Sequence, residues 1–381
     1  MHSQDEMFAL ARRALDHFLN HTTDQAPDVL TMPIEAYADP LRYRHELDRV
    51  FMRPPLALAL SIELPTAGSY IALQPLEVPV LLTRGKDNKV RAFLNVCRHR
   101  GARLCALGSG SAKVFSCPYH AWVYDDRGAL ISRYGASTFG DVEHNERALV
   151  ELACAERAGL IWVTLTPGLP MDIDAWLGSF AAPLASLRLD TWTLFEQREI
   201  PGPGWKVTMD GYLEVYHHNA VHGRTVGQHT IGNLLVLDTF GPHQRMTFGR
   251  QSIGELANLP EVQWEPEKHI RLVHSGFPNL SVSGILGDHC LVSFIFPGLT
   301  PTTTSTRQIV LAHEAPTTPE ALAKTRAFSE MVRQAICDED YPMGFTIQNG
   351  IASGANSSFL FGRNELAVQN YHRNVARFAS L

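Results

Sequence analysis

The stretch CRHRGARLCALGSGSAKVFSCPYHAW, residues 97–122, contains two short Cys/His pairs that decide how the whole chain is interpreted. The first pair is Cys97-Arg-His99 and the second is Cys117-Pro-Tyr-His120. Each pair stands at the end of a β-like run, so both are predicted to lie in loops. Two thiolates and two imidazoles suit either a structural zinc ion or an iron–sulfur cluster. The residues therefore predict a metal site built from two loops.

The order of the ligands separates these two possibilities. Each loop offers one cysteine and one histidine, and in a Rieske [2Fe–2S] centre one iron takes both thiolates while the other takes both imidazoles. A single buried cysteine is usually only a small core residue. Two such pairs in two β-loops are much harder to obtain by chance. Structural zinc is the remaining competitor on ligand types alone.

The same residues resemble a known family. CRHRGARLC followed by CPYHAW is similar to the cluster-binding signature of Rieske non-heme iron oxygenases, including Arg100-Gly101 after the first histidine and Trp122 after the second pair. The resemblance implies a [2Fe–2S] cluster held by four ligands: Cys97, His99, Cys117 and His120. Rieske ferredoxins share this motif, so an electron-transfer protein without oxygenase activity stays an alternative. A zinc-stabilised binding module of the helix-grip type is another.

A second constellation lies in GWKVTMDGYLEVYHHNAVHG, residues 204–223. Asp210, Glu214 and His217 are four and three residues apart, so they are predicted to share one face of a helix. His222 follows five residues after His217, so both can bind one metal only if the helix ends near His218. Two histidines and a carboxylate form the facial triad of oxygen-activating ferrous enzymes. His218 and the more distant Asp338 are expected to be solvated.

The resemblance extends to this region and to CDEDYPMGFTIQNGI, residues 337–351. The family elements Tyr-His-x₄-His, Glu-Asp and Gln-x-Gly are matched by Tyr216, His217, His222, Glu339, Asp340, Gln348 and Gly350. The resemblance implies that His217, His222 and Asp340 bind a mononuclear ferrous ion.

Glu214 occupies the position of the acidic residue that links the two metal centres in this family. Many members have aspartate there, and glutamate occurs in the subgroup of carnitine and choline monooxygenases. The resemblance implies a catalytic role for Glu214 between an iron-ligand histidine of its own chain and His99 or His120 of a neighbouring subunit.

The pattern along the chain predicts an α+β protein. Residues 1–45 are predicted to form a helical segment that packs on the catalytic domain. Residues 46–165, with short β-like runs separated by Gly, Pro, Asp and Asn, are predicted to form a small all-β Rieske domain. Residues 166–381 are predicted to form a helix-grip catalytic domain, in which an antiparallel sheet is wrapped around helices. Thr318-Pro319-Glu320 has the features of a helix start.

The composition narrows the class of partner. The chain has 381 residues, 45% of them apolar, and a net charge of −6, which argues against a nucleic-acid or anionic-membrane surface. The first residues lack the basic start and apolar stretch of a signal peptide, and no window reaches the length of a membrane span. Six cysteines are too few for a disulfide scaffold of this size. We expect a cytoplasmic protein.

Together these features predict the terminal oxygenase component of a Rieske oxygenase. It would use O₂ and electrons from a separate NAD(P)H-dependent reductase or ferredoxin, because the sequence has no GxGxxG nucleotide-binding loop. The family implies a homotrimer. The expected substrate is a small organic, aromatic compound, as in aromatic hydrocarbon catabolism, and the alternative is oxidation of an N-methyl or quaternary-ammonium compound. Five phenylalanines are expected to fill the sheet core rather than line a pocket: Phe240, Phe248, Phe277, Phe294 and Phe296.

Overall fold

The computed structural model describes residues 4–141, 143–284 and 287–380. The chain divides into two compact units. The small unit is Phe51–Trp176, and the large unit joins the residues up to Val50 with those from Leu177 onwards. The three predicted domains, 1–45, 46–165 and 166–381, stay a prediction, and their outer ends, residues 1 and 381, lie outside the described residues.

The described residues form helices and antiparallel sheets, with runs of consecutive strands, and the fold class is α+β, as predicted. The strands are β1 (Leu30–Pro33), β2 (Leu56–Leu60), β3 (Ser69–Leu73), β4 (Val80–Arg84), β5 (Val90–Leu94), β6 (Gly108–Ser111), β7 (Phe115–Ser116), β8 (Val123–Tyr124), β9 (Leu130–Ser132), β10 (Glu151–Leu152), β11 (Cys154–Arg157), β12 (Leu160–Val163), β13 (Thr193–Gly202), β14 (Thr230–Phe240), β15 (His243–Arg250), β16 (Ile270–Gly276), β17 (Leu280–Ser283), β18 (His289–Pro297), β19 (Thr304–Ala312) and β20 (Ser358–Phe361). The α-helices are α1 (Gln4–Asn20), α2 (Glu35–Ala38), α3 (Pro40–Glu46), α4 (Ala136–Phe139), α5 (Ile173–Leu177), α6 (Ala181–Ala185), α7 (Trp205–Tyr212), α8 (His218–Val221), α9 (Pro266–His269), α10 (Pro319–Gln334), α11 (Tyr341–Ser353) and α12 (Leu366–Ala379). Among them, no helix combines the length and the apolar character that crossing a bilayer requires.

The small unit consists of three antiparallel sheets. Their strand orders are β10-β5-β4-β3-β6, β11-β12-β2 and β7-β8-β9. The short β-like runs of the sequence form strands of these sheets, as predicted. One apolar cluster of the unit contains Phe93, Phe115 and Tyr124 together with the thiols of Cys97 and Cys117. The two predicted cysteine ligands are thus anchored in the core of this unit.

The large unit is built on a seven-stranded antiparallel sheet of order β13-β19-β18-β17-β16-β15-β14. Almost every residue of β15, β18 and β19 is buried, which requires cover on both faces of the sheet. Helix α1 lies against β14 and β15, and its Arg13 pairs with Asp238 at 2.6 Å. Strand β1 pairs with β20, so the N-terminal segment is tied to the C-terminal one.

A long helix covers the other side of the sheet. Helix α10 begins at the predicted cap, where the Thr318 side chain accepts a hydrogen bond from the backbone N–H of Ala321. Val332 of this helix packs against Leu291 and Val310 of the sheet. The helix then passes through a π-helical turn, Ala335–Asp340, and continues as α11. Such turns are rare and often stand at functional sites.

Candidate metal centres

The two Cys/His loops of the small unit share one hydrogen-bond pattern. The backbone N–H of Cys97 donates to the carbonyl of Ala102 at 2.8 Å, and the N–H of Gly101 donates back to the carbonyl of Cys97 at 3.0 Å. In the second loop Cys117, Ala121 and Trp122 repeat these two bonds at 3.0 and 2.8 Å. Both fourth positions after the cysteine have positive φ, +80° at Gly101 and +52° at Ala121. The loops are therefore structural equivalents, despite their different Cys–His spacing.

The donor atoms of the two loops lie close together. The rings of His99 and His120 have their centroids 4.7 Å apart, and both are partly exposed, whereas the thiols are buried. Burial raises the pKa of the Cys97 thiol, so a thiolate there needs a positive charge beside it. Nδ1 of His99 is buried and has no hydrogen-bond partner among the described residues. A buried nitrogen without a partner is costly, and a metal ion would satisfy it.

Tyr124 supports the first loop and could not be singled out from the sequence. Its hydroxyl accepts a hydrogen bond from the backbone N–H of Arg98 at 2.9 Å and lies 3.5 Å from Sγ of Cys97. Burial, and then the neighbouring Cys97, raise the pKa of this phenol above its ordinary value, so it stays protonated. It can therefore donate to a thiolate. Hydrogen bonds to cluster sulfurs are one determinant of reduction potential.

In the large unit, the prediction of one helical face for Asp210, Glu214 and His217 is wrong. Helix α7 ends at Tyr212, and a new short helix starts only at His218. The Glu214 carboxylate accepts hydrogen bonds from the backbone N–H groups of Tyr216 and His217. It thereby offers the backbone an alternative to helical bonding, as side-chain acceptors do at caps and turns. This break brings His217 and His222 together, whereas Asp210 bonds instead to Tyr37 and His372.

Three donor atoms converge at the break. Nε2 of His217 and Nε2 of His222 are 3.0 Å apart. Oδ1 of Asp340 lies 3.0 Å from Nε2 of His222 and 3.5 Å from Nε2 of His217. Donors that bind one metal at about 2.1 Å and at right angles to each other are separated by about 3 Å. The three atoms have the spacing of a facial ligand set.

The other edge of each imidazole faces a carboxylate. Nδ1 of His217 contacts Oε1 of Glu214, and Nδ1 of His222 lies 2.7 Å from Oε2 of Glu339. Ionised carboxylates only accept hydrogen bonds, so each Nδ1 donates its hydrogen to the neighbouring carboxylate and each Nε2 is directed at the site. Two imidazole nitrogens and a carboxylate oxygen that converge in this way need a cation between them, either a proton or a metal ion. The donor set therefore fits a metal ion.

Two orienting groups were not assigned from the sequence. Glu339 was matched only as part of a Glu-Asp pair, and Thr225, which donates its hydroxyl hydrogen to Oε2 of Glu339, had no local signal. A third connection involves Gln348 of the Gln-x-Gly element. Oε1 of Gln348 accepts a hydrogen bond from the N–H of Gly204 at 2.7 Å, which ties α11 to the start of α7. A Cβ at Gly204 would collide with the carbonyl oxygen of Pro301.

The expectation that His218 is solvated is wrong. Its ring is 5.3 Å from that of His222, its Nδ1 is 3.2 Å from Oγ1 of Thr230, and the ligand atoms of His217, His218 and His222 lie within 4.8 Å of one another. Burial and then the two neighbouring histidines lower the pKa of His218 to about 3, so it is neutral at pH 7. Oδ1 of Asp340, at 3.0 and 3.5 Å from the Nε2 atoms of His222 and His217, is the candidate for the third ligand. Asp338 is exposed and pairs with Arg333 at 2.9 Å.

A cavity of about 680 Å³ adjoins this site within the large unit. Glu214, His217, His222 and Asp340 all line it. Its apolar wall includes Phe248, Val273, Leu291, Phe328, Met331 and Ile336. Of the five phenylalanines assigned to the core, Phe248 is buried and also lines the cavity, because it faces the same side of the sheet as α10. Phe277 and Phe294 are fully buried, as expected.

Two known families match the chain. Residues 55–139 match "Rieske [2Fe-2S] domain", and residues 189–380 match "Ring hydroxylating alpha subunit (catalytic domain)". The second match spans half of the chain.

Individual proteins similar to this chain are also oxygenase subunits. The chain is 30% identical over 230 residues to the glycine betaine monooxygenase oxygenase subunit of Chromohalobacter salexigens, covering 58% of this chain and 51% of that protein. It is 38% identical over 143 residues to the chlorobenzene dioxygenase subunit alpha of a Cupriavidus species, covering 37% and 32%. The chain thus spans about half the length, or less, of these curated relatives.

A solved structure supports the fold. The quaternary ammonium Rieske monooxygenase CntA with L-carnitine superposes with a TM-score of 0.79 at 22% identity, covering 93% of this chain and 97% of that one. The cofactors that go with the two matched domains are a [2Fe–2S] cluster and mononuclear iron. The chain belongs to the Rieske non-heme iron oxygenases, as a member of their ring-hydroxylating alpha-subunit family.

Proposed function

We propose that this chain is a terminal oxygenase, which uses O₂ and external electrons to oxidise a small organic substrate. The observation that carries the proposal is the convergence of three possible metal-ligand atoms, Nε2 of His217, Nε2 of His222 and Oδ1 of Asp340, at the wall of a cavity. Cys97, His99, Cys117 and His120 would hold the cluster, and the three converging residues would hold the iron.

The residues of the chain prepare these centres for their tasks. When bound, the cluster supplies single electrons and the ferrous ion supplies oxygen activation. Glu214 and Glu339 hold the hydrogens of the two imidazoles at Nδ1 and so keep both Nε2 lone pairs directed inward. The ligands occupy one side of the site, and the apolar wall of the cavity limits water near the substrate.

The electron path is part of the proposal. A separate NAD(P)H-dependent reductase or a ferredoxin would reduce the cluster, because the sequence has no nucleotide-binding GxGxxG loop. We further propose a homotrimer in which Glu214 connects His217 to a cluster histidine of a neighbouring subunit. The supporting observation is the position of the Glu214 carboxylate, which contacts the outer edge of the His217 ring.

An aromatic substrate is our first choice, as a step in aromatic hydrocarbon breakdown. Phe248 and Phe328, with aliphatic neighbours, provide flat apolar surfaces for a ring. The alternative, oxidation of a quaternary-ammonium compound, is favoured by relatives such as the glycine betaine monooxygenase subunit.

The described cysteines are all free thiols, which supports a reducing compartment and hence the cytoplasm.

The experiment compares Asp340→Ala with Asp338→Ala. The first variant should lose mononuclear iron and substrate-dependent O₂ uptake while the visible spectrum of the cluster is kept. The second should retain both metals, since Asp338 is exposed and pairs with Arg333. A separate screen would measure O₂ uptake with aromatic acids, phenols and methylated amines to identify the substrate. Loss of iron in the Asp338 variant and its retention in the Asp340 variant would contradict the ligand assignment.

A further inference from the structure

One wall of the cavity carries two arginine side chains that both lie near Phe248. Arg250 ends β15, two residues after Phe248, so the two side chains are on the same face of the strand. Arg271 of β16 stands directly opposite Phe248 in the strand pairing. Both arginines line the cavity, and both are partly buried.

The hydrogen bonds of the two guanidinium groups involve only backbone carbonyls. Nη1 of Arg250 donates to the carbonyl of Lys268 at 3.2 Å. Nη1 of Arg271 donates to the carbonyls of Glu267 and Ile270, each at 2.7 Å. In each arginine the edge formed by Nε and Nη2 has no acceptor among the described residues. This edge is the one that binds a carboxylate through two parallel hydrogen bonds.

The charges of the two arginines are also uncompensated. Within the described part of the chain, no carboxylate lies at ion-pair distance from Arg250 or Arg271. Burial and then the charge of Arg250 lower the pKa of Arg271 to about 10. Lys324, another cation of the cavity wall, differs because it already pairs with Asp288. Two partly buried like charges are unfavourable, and an anion bound between them removes this cost.

The position of the arginines relates them to the iron site. The ring of Phe248 is 6.1 Å from that of His218, whose ring is 5.3 Å from that of His222. Along this wall the order is therefore His222, His218, Phe248 and the arginines. A molecule anchored at the arginines can lay its apolar part over Phe248 and reach the iron site with its other end.

We propose that the cavity takes a substrate with a carboxylate group, which the free Nε and Nη2 edges of Arg250 and Arg271 bind. This inference rests on the proposed oxygenase function and names the class of its substrate. The carboxylate can belong to an aromatic acid or to a zwitterionic betaine. A cation without a carboxylate, such as choline, would meet two positive charges without compensation.

The test measures binding to the metal-loaded, oxidised protein by titration calorimetry, so it does not depend on turnover. Benzoate and salicylate represent aromatic acids, and glycine betaine represents zwitterions. Benzamide and choline are the matched probes without a carboxylate. We expect at least one carboxylate probe to bind at least tenfold more tightly than its matched probe. In Arg250→Gln and Arg271→Gln its Kd should rise at least tenfold.

Controls separate charge from folding. Lys324→Met/Asp288→Asn removes a paired cation and its partner anion together, so the net charge of the cavity wall is kept and the Kd of the carboxylate probe should change less than threefold. Arg271→Lys keeps the charge but loses the two-point geometry, so its Kd should be intermediate. Binding of benzoate without glycine betaine identifies an aromatic acid, and the reverse result identifies a betaine.

The inference fails if benzamide or choline binds as tightly as its carboxylate counterpart, or if the arginine variants bind the carboxylate like the wild type. In that case O₂ uptake with benzamide or choline would leave the oxygenase function intact. Absence of iron from the wild-type protein would overturn the proposed function instead, whatever the calorimetry shows.

Discussion

Glu339 and Asp340, adjacent in the chain, contact opposite edges of one imidazole ring: Oε2 of Glu339 lies 2.7 Å from Nδ1 of His222, and Oδ1 of Asp340 lies 3.0 Å from its Nε2. In a regular helix the side chains of consecutive residues point about 100° apart, so they rarely contact opposite edges of the same side chain. The π-helical turn Ala335–Asp340 alters this spacing. The ring is thereby fixed in both tautomer and orientation.

Replacement of Glu339 should weaken iron binding without touching the cluster. Glu339→Gln keeps the size of the side chain but removes its charge, so it no longer forces the hydrogen onto Nδ1. Partners of this kind are worth about 10- to 100-fold in metal affinity. Iron retention against a chelator would show the effect, with the cluster spectrum and Asp338→Asn as internal controls. Unchanged iron affinity would mean that Glu339 contributes packing contacts but does not orient His222 for the metal.

Replacement of Glu214 should stop turnover even when both metal centres are fully loaded. Glu214→Gln removes the charge beside Nδ1 of His217, so, like Glu339→Gln, it should weaken iron binding, and the variant is loaded with excess ferrous ion. It removes no iron ligand, because Glu214 is not one of the three converging donors. A single-turnover experiment on the reduced variant should show slow cluster reoxidation and little product. Glu214→Asp, which keeps the charge, should restore part of the rate. Wild-type reoxidation in the glutamine variant would limit Glu214 to orienting His217.

The cluster itself gives a spectroscopic prediction. The reduced protein should show the low-average-g electron paramagnetic resonance signal of a histidine-ligated [2Fe–2S] centre, because neutral imidazoles replace two thiolates. His120→Cys should convert this signal to a ferredoxin-like one or lose the cluster. Tyr124→Phe should keep the cluster and lower its potential, since it removes a donor near Sγ of Cys97. Colourless protein with one bound zinc would contradict the assignment.

A buried ion pair in the large unit predicts a strong effect on stability. Nζ of Lys206 in α7 lies 2.7 Å from Oε1 of Glu46, and the two side chains are only 3% and 1% exposed. Glu46→Gln leaves the ammonium buried without its carboxylate, so we expect a loss of about 3–5 kcal/mol in unfolding free energy. The double variant Glu46→Leu/Lys206→Met should lose far less. Denaturant titrations would measure the unfolding free energy of the single and of the double variant. Equal losses in the two variants would contradict the prediction.

The same lysine gives the sign of a pH effect. Burial lowers the pKa of Lys206 to about 8, below its ordinary value near 10.5. Between these two values the unfolded chain binds more protons than the folded one, so this group makes unfolding free energy increase with pH there. Lys206→Met should remove this increase. If the unfolding free energy changed with pH in the same way in the wild type and in the variant between about pH 8 and 10.5, the prediction would be wrong.

The sequence predicted best what depends on local pattern. The Cys/His loops, the short strands of the small unit and the Thr318 cap each rest on residues close together in the chain. The helix break after Tyr212 was missed because the spacing from Asp210 to His217 is helical throughout, while the bonds that oppose it come from one glutamate side chain. The orientation of His218 and the role of Glu339 depend on the sheet and on the π-helical turn, and neither leaves a periodic signal.

The interrupted helix from Pro319 to Ser353 also has a consequence for how such a protein can diversify. Phe328 and Met331, upstream of the π-helical turn, line the cavity, whereas Asp340 and Gln348 lie at its end or beyond it. Exchanges upstream can reshape the chamber for new compounds, while the downstream half keeps its anchor on Gly204. Deleting one residue within the turn would restore regular winding, and Glu339 and Asp340 would then no longer reach opposite edges of the His222 ring. Substitutions in this helix can therefore alter specificity, whereas a change in its length between Met331 and Asp340 would disturb the site formed with His217 and His222.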